Sequence, residues 1–232
     1  MSTVMRAEDL CVTLKIPRRP EKELVRHVNF EVQRGECLGI LGESGSGKTT
    51  SMRNFKDGEL GIINVGYKPL PFKTDLKPFN SDDYNLISDV ILRSKTKSIV
   101  IDDAQYLMVN EFMRNAKSNG YQKFTDIALN FWNLVQMVIK DLPSDVIVYF
   151  LGHIERDNNG NEKFKTIGRM LDEKITLEGM FTIVLKTLVQ DGKYMFTTQT
   201  NGMDTVKSPV GLFDSITIDN DLKFVDTKIR EF

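Results

Sequence analysis

The sequence predicts a three-layer α/β domain, in which helices cover both faces of a mostly parallel central sheet. A glycine-rich loop, residues 42–49, lies between an apolar segment and a segment suited to open a helix. A second apolar segment at residues 98–101 ends in two acids, and a third lies at residues 146–151. Buried apolar segments that alternate with helical patterns are typical of parallel sheets built from β-α-β units.

Composition and charge are those of a soluble globular protein. The chain has 232 residues, of which 41% are hydrophobic and 27% charged, and its net charge is -1. Because there is no global positive charge, any contact with nucleic acid must come from a local patch. We find no signal peptide, no apolar run of ~18 residues and no metal-ligand spacing at the two cysteines, so we expect a cytoplasmic protein without a membrane span or structural zinc.

The chain opens with two strand-like segments. Residues 8–16 and 24–32 partly alternate between apolar and polar side chains, and a polar loop with two prolines, residues 17–22, separates them. We therefore expect an antiparallel N-terminal β segment, residues 1–36, ahead of a P-loop core, residues 37–232.

The glycine-rich loop fits G-x-x-x-x-G-K-[ST], the phosphate-binding P-loop. Its glycines let successive backbone N–H groups face a phosphate, while Lys48 would reach the β- and γ-phosphates and the Thr49 hydroxyl would bind Mg²⁺. A strand-to-helix turn without a ligand is the alternative. The predicted nucleotide-binding residues are Gly42, Glu43, Ser44, Gly45, Ser46, Gly47, Lys48, Thr49 and Thr50.

The paired acids after residues 98–101 match the Walker B pattern. A parallel strand delivers its C-terminal carboxylate to the sheet edge beside the P-loop, so Asp102 would hold Mg²⁺. Asp103 stands where a residue that polarises the attacking water is expected, although its side chain is shorter than the usual glutamate. Two solvated acids at a strand end are the alternative.

Between these motifs, an apolar segment at residues 60–65 predicts a buried strand, and a helix is expected to run from Ser81, its cap, through Arg93. Residues 124–140 form a longer predicted helix. Its apolar side chains follow i, i+3, i+4 spacing, which indicates core packing rather than a platform for bases.

The apolar segment at residues 146–151 leads to His153, with Glu155 close behind. We expect His153 to sense the γ-phosphate or orient water, and Glu155 to be a further candidate for that role; a capping or surface histidine is the alternative.

Lys165, Arg169 and Lys174 could place a cation on the γ-phosphate, in cis or from a neighbouring subunit, or form a solvated face.

The C-terminal part predicts a β-hairpin and a final helix. Residues 181–189 and 194–199 flank Asp191-Gly192, a strong turn signal. Residues 200–210 form a polar loop that would contact nucleic acid or a partner, or simply connect two elements. Residues 221–232 have the spacing of a terminal helix.

The opening resembles the start of ABC-transporter nucleotide-binding domains. The matching residues are "AEDLCVTL" from Ala7 and "VNFEVQRGECLGILGESGSGKTT" from Val28. The resemblance covers about 50 residues and implies ATP binding. No LSGGQ-type signature follows, the stretch between Thr49 and Asp102 is too short for the usual helical region, and residues 14–23 hold no aromatic side chain that could stack on adenine.

From about Met52 onward the chain resembles phage-encoded P-loop ATPases related to the RecA-like core-only single-strand annealing ATPases. The matching residues are "INVGYKPLPFK" from Ile63, "IVIDDAQYLMVNEFM" from Ile99, "YFLGHIERDNNG" from Tyr149, "KTIGRMLDEKITLEGMFTIVL" from Lys165 and "TQTNGMDTVKSPVGLF" from Thr198. The resemblance implies a RecA/AAA-like core, ATP and Mg²⁺, and a role in phage DNA recombination or replication inside a bacterial host cell.

The sequence thus predicts an ATP-binding protein that hydrolyses ATP with Mg²⁺, slowly unless a homo-oligomer supplies a cation. A nucleotide-switched module that binds or anneals single-stranded DNA with little hydrolysis is one alternative. An ABC-type transport ATPase is another, and a nucleotide kinase is a weaker one because no arginine-rich lid is present.

Overall fold

Contacts divide the chain into two units, Met1–Arg34 and Gly35–Phe232. The structure, a computed structural model, describes residues 3–14, 22–33, 37–118, 120–168 and 170–232. In the first unit the backbones of β1 (Thr3–Leu14) and β2 (Lys22–Gln33) pair antiparallel, with several register shifts. The loop predicted between them lies outside the described residues except for Lys22, and the domain boundary at residue 36 stays a prediction.

The second unit is built on a nine-stranded sheet. Its strands are β3 (Cys37–Gly42), β4 (Gly61–Asn64), β5 (Phe79–Asn80), β6 (Ser98–Asp102), β7 (Ile147–Arg156), β8 (Glu162–Phe164), β9 (Ile183–Gln190), β10 (Lys193–Thr197) and β11 (Thr217–Asp219). The order across the sheet is β11-β10-β9-β3-β7-β6-β4-β5, and β8 pairs with β7. From β9 to β5 all neighbours are parallel, whereas β8, β10 and β11 pair antiparallel.

Helices lie on both faces of this sheet, which gives three layers. The helices are α1 (Tyr84–Arg93), α2 (Gln105–Arg114), α3 (Gln122–Asp141) and α4 (Leu222–Glu231). One apolar core joins the first three helices to one face, and a second core joins α4 and a short 3₁₀ helix, Thr49–Asn54, to the other. The predicted mixed α/β class with a large, mostly parallel sheet is confirmed.

Several local features differ from the predictions. The segment after the P-loop forms only a 3₁₀ helix that ends at Asn54, where Phe55 turns to extended backbone. Asp83, rather than Ser81, caps α1 because its carboxylate accepts the N–H groups of Asn85 and Leu86. Strand β7 continues past His153 to Arg156, since β8 pairs with its extension.

The topology brings the carboxyl ends of β3, β6 and β7 to one edge of the sheet. Polar side chains that follow parallel strands meet at such an edge. No helix within the described residues is both long enough and apolar enough to cross a membrane.

Candidate nucleotide-binding site

The P-loop backbone depends on glycine at two positions. Gly45 and Gly47 have φ angles of 79° and 91°, a left-handed region that other residues rarely adopt. A Cβ atom on Gly47 would also lie 2.7 Å from Cδ1 of Tyr194. The loop can therefore adopt the tight backbone turn that phosphate-binding loops require.

Lys48 lies inside this loop. Its Nζ donates to the carbonyl oxygens of Gly42 and Glu43, at 2.9 and 2.8 Å. Burial lowers the pKa of Lys48 to about 8, against the opposing effect of the negative charges of Asp103 and Asp102. The loop thus holds the ammonium group where phosphate oxygens would meet it.

Thr49 and Asp102 face each other across the site. The Thr49 hydroxyl lies 3.0 Å from each carboxylate oxygen of Asp102. Burial, and then the neighbouring charge of Asp103, raise the pKa of Asp102 to about 6. A buried carboxylate beside a hydroxyl is a donor pair of hard oxygen atoms, which suits Mg²⁺.

Within the part of the chain that the structure describes, no cluster of three or more His, Cys, Asp or Glu side chains could hold a metal by itself. A Mg²⁺ ion at Thr49 and Asp102 would therefore need phosphate oxygens and water for its other ligands. That requirement fits the adjacent P-loop, because Mg²⁺ in nucleotide sites is usually bound in this way.

Asp103 is held from two sides. Its Oδ2 accepts a hydrogen bond from Lys68 Nζ at 2.7 Å, and its Oδ1 lies 3.4 Å from Nε2 of His153. Although burial acts to raise it, the hydrogen bonds of His153 and Lys68 lower the pKa of Asp103 to about 2. The carboxylate is therefore ionised and has a defined orientation.

His153 is itself fixed by its surroundings. Its backbone N–H lies 3.3 Å from Oε1 of the buried Gln105, and its carbonyl accepts from the N–H of Lys165 at 2.8 Å. The ring of Tyr106 meets the imidazole edge-on at 6.3 Å. His153 is thus neither a capping residue nor a free surface residue, because it packs against the first residues of α2.

These groups line one cavity of about 260 Å³. Lys48, Thr49, Asp102, Asp103 and His153, which the sequence analysis selected from separate motifs, lie together there. The other lining residues are Ser44, Gly45, Gly47, Thr50, Lys68, Pro69, Pro71 and Tyr194. The cavity offers cations and loop N–H groups to phosphates and two carboxylates to a metal ion and a water molecule.

Some predicted residues lie elsewhere. Glu155 does not line the cavity: it is on β7 two residues past His153, and its Oε1 is 4.0 Å from Nζ of Lys163. Gly42 and Glu43 contribute carbonyl oxygens to Lys48, and the Glu43 side chain pairs with Arg156 at 2.9 Å. The predicted catalytic role of Glu155 stays a prediction, because the residue does not line the cavity.

Ser46 is also turned away from the cavity. It is buried, and its hydroxyl lies 2.6 Å from the carbonyl of Glu43 and 2.5 Å from Oγ1 of Thr187. Its side chain supports the loop, and its backbone N–H donates to the carbonyl of Glu43 at 3.3 Å.

Among the described residues, no predicted finger cation is placed at the cavity. Lys165 is exposed and does not line it. Arg169 lies outside the described residues, and so does the Lys174 side chain. In the polar loop 200–210, Lys207 exchanges backbone hydrogen bonds with Val184 of β9, an arrangement that suits a structural connection.

Sequence reasoning missed four lining residues, Pro69, Pro71, Lys68 and Tyr194, of which the last two have polar side chains that could act on a ligand. Lys68 lies in a segment with prolines and lysines that has no catalytic motif, and Tyr194 lies on a strand that is distant in sequence from the P-loop. Only the antiparallel pairing of β10 with β9, and the parallel pairing of β9 with β3, bring Tyr194 beside Gly47. No sequence signal pointed to either residue.

Comparisons with known proteins match the segment around the P-loop. The family model described as ABC transporter matches residues 25–70. Over 62 residues the chain is 36% identical to the ABC-type transmembrane transporter verA of Clonostachys rogersoniana and 36% identical to the ABC multidrug transporter MDR5 of Trichophyton rubrum. It is 37% identical over 41 residues to the serine protease/ABC transporter B family protein tagB of Dictyostelium discoideum.

These matches cover a small part of each protein. The first two span 25% of this chain and 5% of each transporter, and the third spans 18% of this chain and 2% of its relative. Together with the α/β fold, they support a P-loop NTPase nucleotide-binding domain and a nucleotide-binding ATPase. The resemblance to phage RecA/AAA-like ATPases stays a prediction.

Proposed function

We propose that this protein binds ATP and hydrolyses it with Mg²⁺. The observation that carries the proposal is the convergence, in one cavity, of the P-loop lysine, the Thr49–Asp102 pair and the Asp103–His153 pair. Each group has the chemistry that one part of a metal–triphosphate complex requires.

In this proposal the P-loop N–H groups and Lys48 bind the β- and γ-phosphates. Thr49 and Asp102 would hold Mg²⁺, which when bound neutralises charge on the β- and γ-phosphates. Asp103, oriented by His153, accepts a proton from the attacking water as the water oxygen bonds to Pγ and the bond from Pγ to the bridging oxygen breaks. ADP and inorganic phosphate are the products.

In this proposal the nucleoside part of ATP binds to a different part of the cavity from the phosphates. Tyr194 lies beside Gly47 in the cavity lining, whereas Asp102 and Asp103 lie at the end of β6, on the other side of β3. Tyr194 is half exposed. We assign to Tyr194 the stacking of the base, a role for which the N-terminal loop offers no aromatic residue.

A second candidate is DNA-coupled turnover, or a nucleotide switch for single-stranded DNA binding, in phage recombination or replication in the cytoplasm of a host cell. The observation that favours it is an open cavity of about 510 Å³ beside the site, lined by Tyr67, Lys68 and Phe72 among others. The exposed Lys77 lies in the same segment. Aromatic and cationic side chains together suit single strands.

Transport in the manner of the ABC relatives is the third candidate. Only the segment around the P-loop favours it, and the chain has no LSGGQ-type signature.

The test is ATP turnover and binding with and without single-stranded DNA. We expect wild-type protein to bind and hydrolyse ATP, and Lys48→Ala to lose both, while Lys95→Ala, an exposed lysine away from the cavity, behaves as wild type. Turnover that rises with DNA and falls steeply with salt would select the DNA-coupled candidate. Wild-type protein that binds no ATP would refute the proposal.

A further inference from the structure

We propose that Lys68 is a charge switch that moves between Asp103 and the γ-phosphate of a bound nucleoside triphosphate. This inference rests on the proposed function and names a residue that no motif assigns. Its starting point is one contact: Lys68 Nζ lies 2.7 Å from Oδ2 of Asp103, inside the cavity that Lys48 also lines.

The backbone of Lys68 is fixed. The carbonyl of Lys68 accepts a hydrogen bond of 2.8 Å from Nδ2 of Asn64, a side chain that is 4% exposed. Pro69 follows directly and restricts its own φ, and Tyr67 before it has a φ of 55°. These constraints hold the base of the Lys68 side chain at the rim of the cavity.

The side chain, by contrast, is free to move. It is 62% exposed, and its ammonium lies 5.1 Å from the centroid of the Tyr106 ring. A cation over an aromatic face is attracted without being directionally bound. Lysine carries three N–H donors on a flexible stem, so Lys68 can exchange one acceptor for another without any movement of the backbone.

A triphosphate would compete for this ammonium. The γ-phosphate carries more negative charge than the carboxylate, and the P-loop would place it between Lys48 and the Asp103 side of the cavity. When Lys68 donates to the γ-phosphate, Oδ2 of Asp103 is released, while His153 keeps its place at Oδ1.

This exchange links binding to chemistry. The released Oδ2 accepts a proton from water as the water oxygen bonds to Pγ and the bridging oxygen leaves with ADP. Lys68 neutralises charge on the transferred group at the same time. ADP has no γ-phosphate, so in its presence Lys68 stays on Asp103 and the carboxylate stays capped.

Lys68 also supplies the further cation that was expected at the γ-phosphate. Of the described residues that line the cavity, Lys48, Lys68 and His153 are those that can carry positive charge. The chain can therefore supply the γ-phosphate cation in cis, and its turnover per molecule should not depend on protein concentration.

The test compares ATP with ADP in Lys68→Ala, Lys68→Arg and Lys73→Ala. Lys73 is a matched control, because it is an exposed lysine of the same segment that does not line the cavity. We expect Lys68→Ala to weaken ATP binding about tenfold, to leave ADP binding within about twofold, and to lower turnover about 100-fold. Lys68→Arg should recover part of both losses, and Lys73→Ala should match wild type.

If Lys68 were only structural, Lys68→Ala would change the affinities for ATP and ADP equally. Equal changes in both affinities would overturn the switch, and so would turnover in Lys68→Ala at or above the wild-type rate, which would make Lys68 only a cap on Asp103. If wild-type protein binds ATP without hydrolysing it, the ratio of the ATP and ADP affinities in Lys68→Ala still tests the switch. If it binds no ATP, both this inference and the proposed function fail.

Discussion

Asp103 joins the strand β6 to the helix α2 in a left-handed backbone conformation, with a φ of 59°. Aspartate and asparagine tolerate this region better than most side chains because their short polar groups bond locally. The turn aims the Asp103 carboxylate at Lys68 and His153 and leaves Asp102 facing Thr49. Two adjacent acids thus reach different partners.

Asp103→Asn should separate binding from hydrolysis. Because asparagine tolerates the same φ, this change adds no backbone strain and removes only the charge and the proton acceptor. We expect turnover to fall about 100-fold while ATP binding stays within a few-fold. Single-turnover hydrolysis and equilibrium binding measure the two effects, and Asp89→Asn on the exposed side of α1 is the control. Unchanged turnover would remove Asp103 from the reaction.

Tyr194 provides the matching test at the nucleoside end. Tyr194→Ala should weaken ATP and ADP binding about tenfold, because stacking of a base on an aromatic ring contributes about 1–3 kcal/mol. Tyr194→Phe keeps the ring and should keep the affinity. Inorganic tripolyphosphate has no base, so its binding should not change in either variant; equal losses for tripolyphosphate and ATP would show that Tyr194 supports only the P-loop.

The helix α4 is attached to the sheet through one buried acid, Asp226. Asp226 is 8% exposed, and it accepts hydrogen bonds from the hydroxyls of Ser98 and Tyr149 and from Arg230. These partners come from β6, β7 and α4 itself, so Asp226 ties the helix to the two strands that end at the site. Burial, together with the charge and hydrogen bond of Asp226, raises the pKa of Tyr149 well above its ordinary value.

Asp226→Ala should therefore destabilise the fold. It leaves two buried hydroxyls without their acceptor and removes the carboxylate partner of Arg230, a loss of about 3 kcal/mol in the free energy of unfolding. Urea unfolding followed by circular dichroism measures it, and Thr227→Ala, on the exposed side of the same helix, should cost less than about 0.5 kcal/mol. Equal stability of the two variants would contradict this account of how α4 is attached.

Across the whole second unit, the site joins elements from the middle of the sheet and both of its sides. β3 supplies the P-loop, β6 and β7 supply the acids and His153, the segment after β4 supplies Lys68, and β10 supplies Tyr194. A ligand bound there contacts elements that are far apart in sequence. Binding should therefore stabilise the folded state of this unit as a whole.

We expect Mg²⁺ and ATP together to raise the melting temperature. A ligand at about 100 times its Kd adds about 2.7 kcal/mol, which corresponds to roughly 5–10 °C for a domain of this size. EDTA should reduce the shift, since it would remove the Mg²⁺ that Thr49 and Asp102 would hold, and Lys48→Ala should abolish it. A shift that persists in Lys48→Ala would place nucleotide binding outside the P-loop. Differential scanning fluorimetry measures each case.

The sequence alone was sufficient for the α/β class and for selecting Lys48, Thr49, Asp102 and Asp103 as candidates, because their chemistry depends on contiguous motifs. A glycine loop after an apolar strand and two acids at a strand end are both patterns typical of nucleotide-binding sites. His153 could be selected in the same way, since the carboxyl ends of parallel strands share one edge.

Only the tertiary structure shows that Lys68 and Tyr194 line the cavity and that Glu155 does not. Lys68 reaches Asp103 only because Asn64 and Pro69 fix its backbone at the cavity rim, and Tyr194 meets Gly47 only through the pairing of three strands. Glu155 is two residues from His153, yet the pairing of β8 extends β7 and places it beside Lys163. Motifs record local geometry, whereas contacts between distant segments follow from strand order and packing, which have no local signature in the sequence.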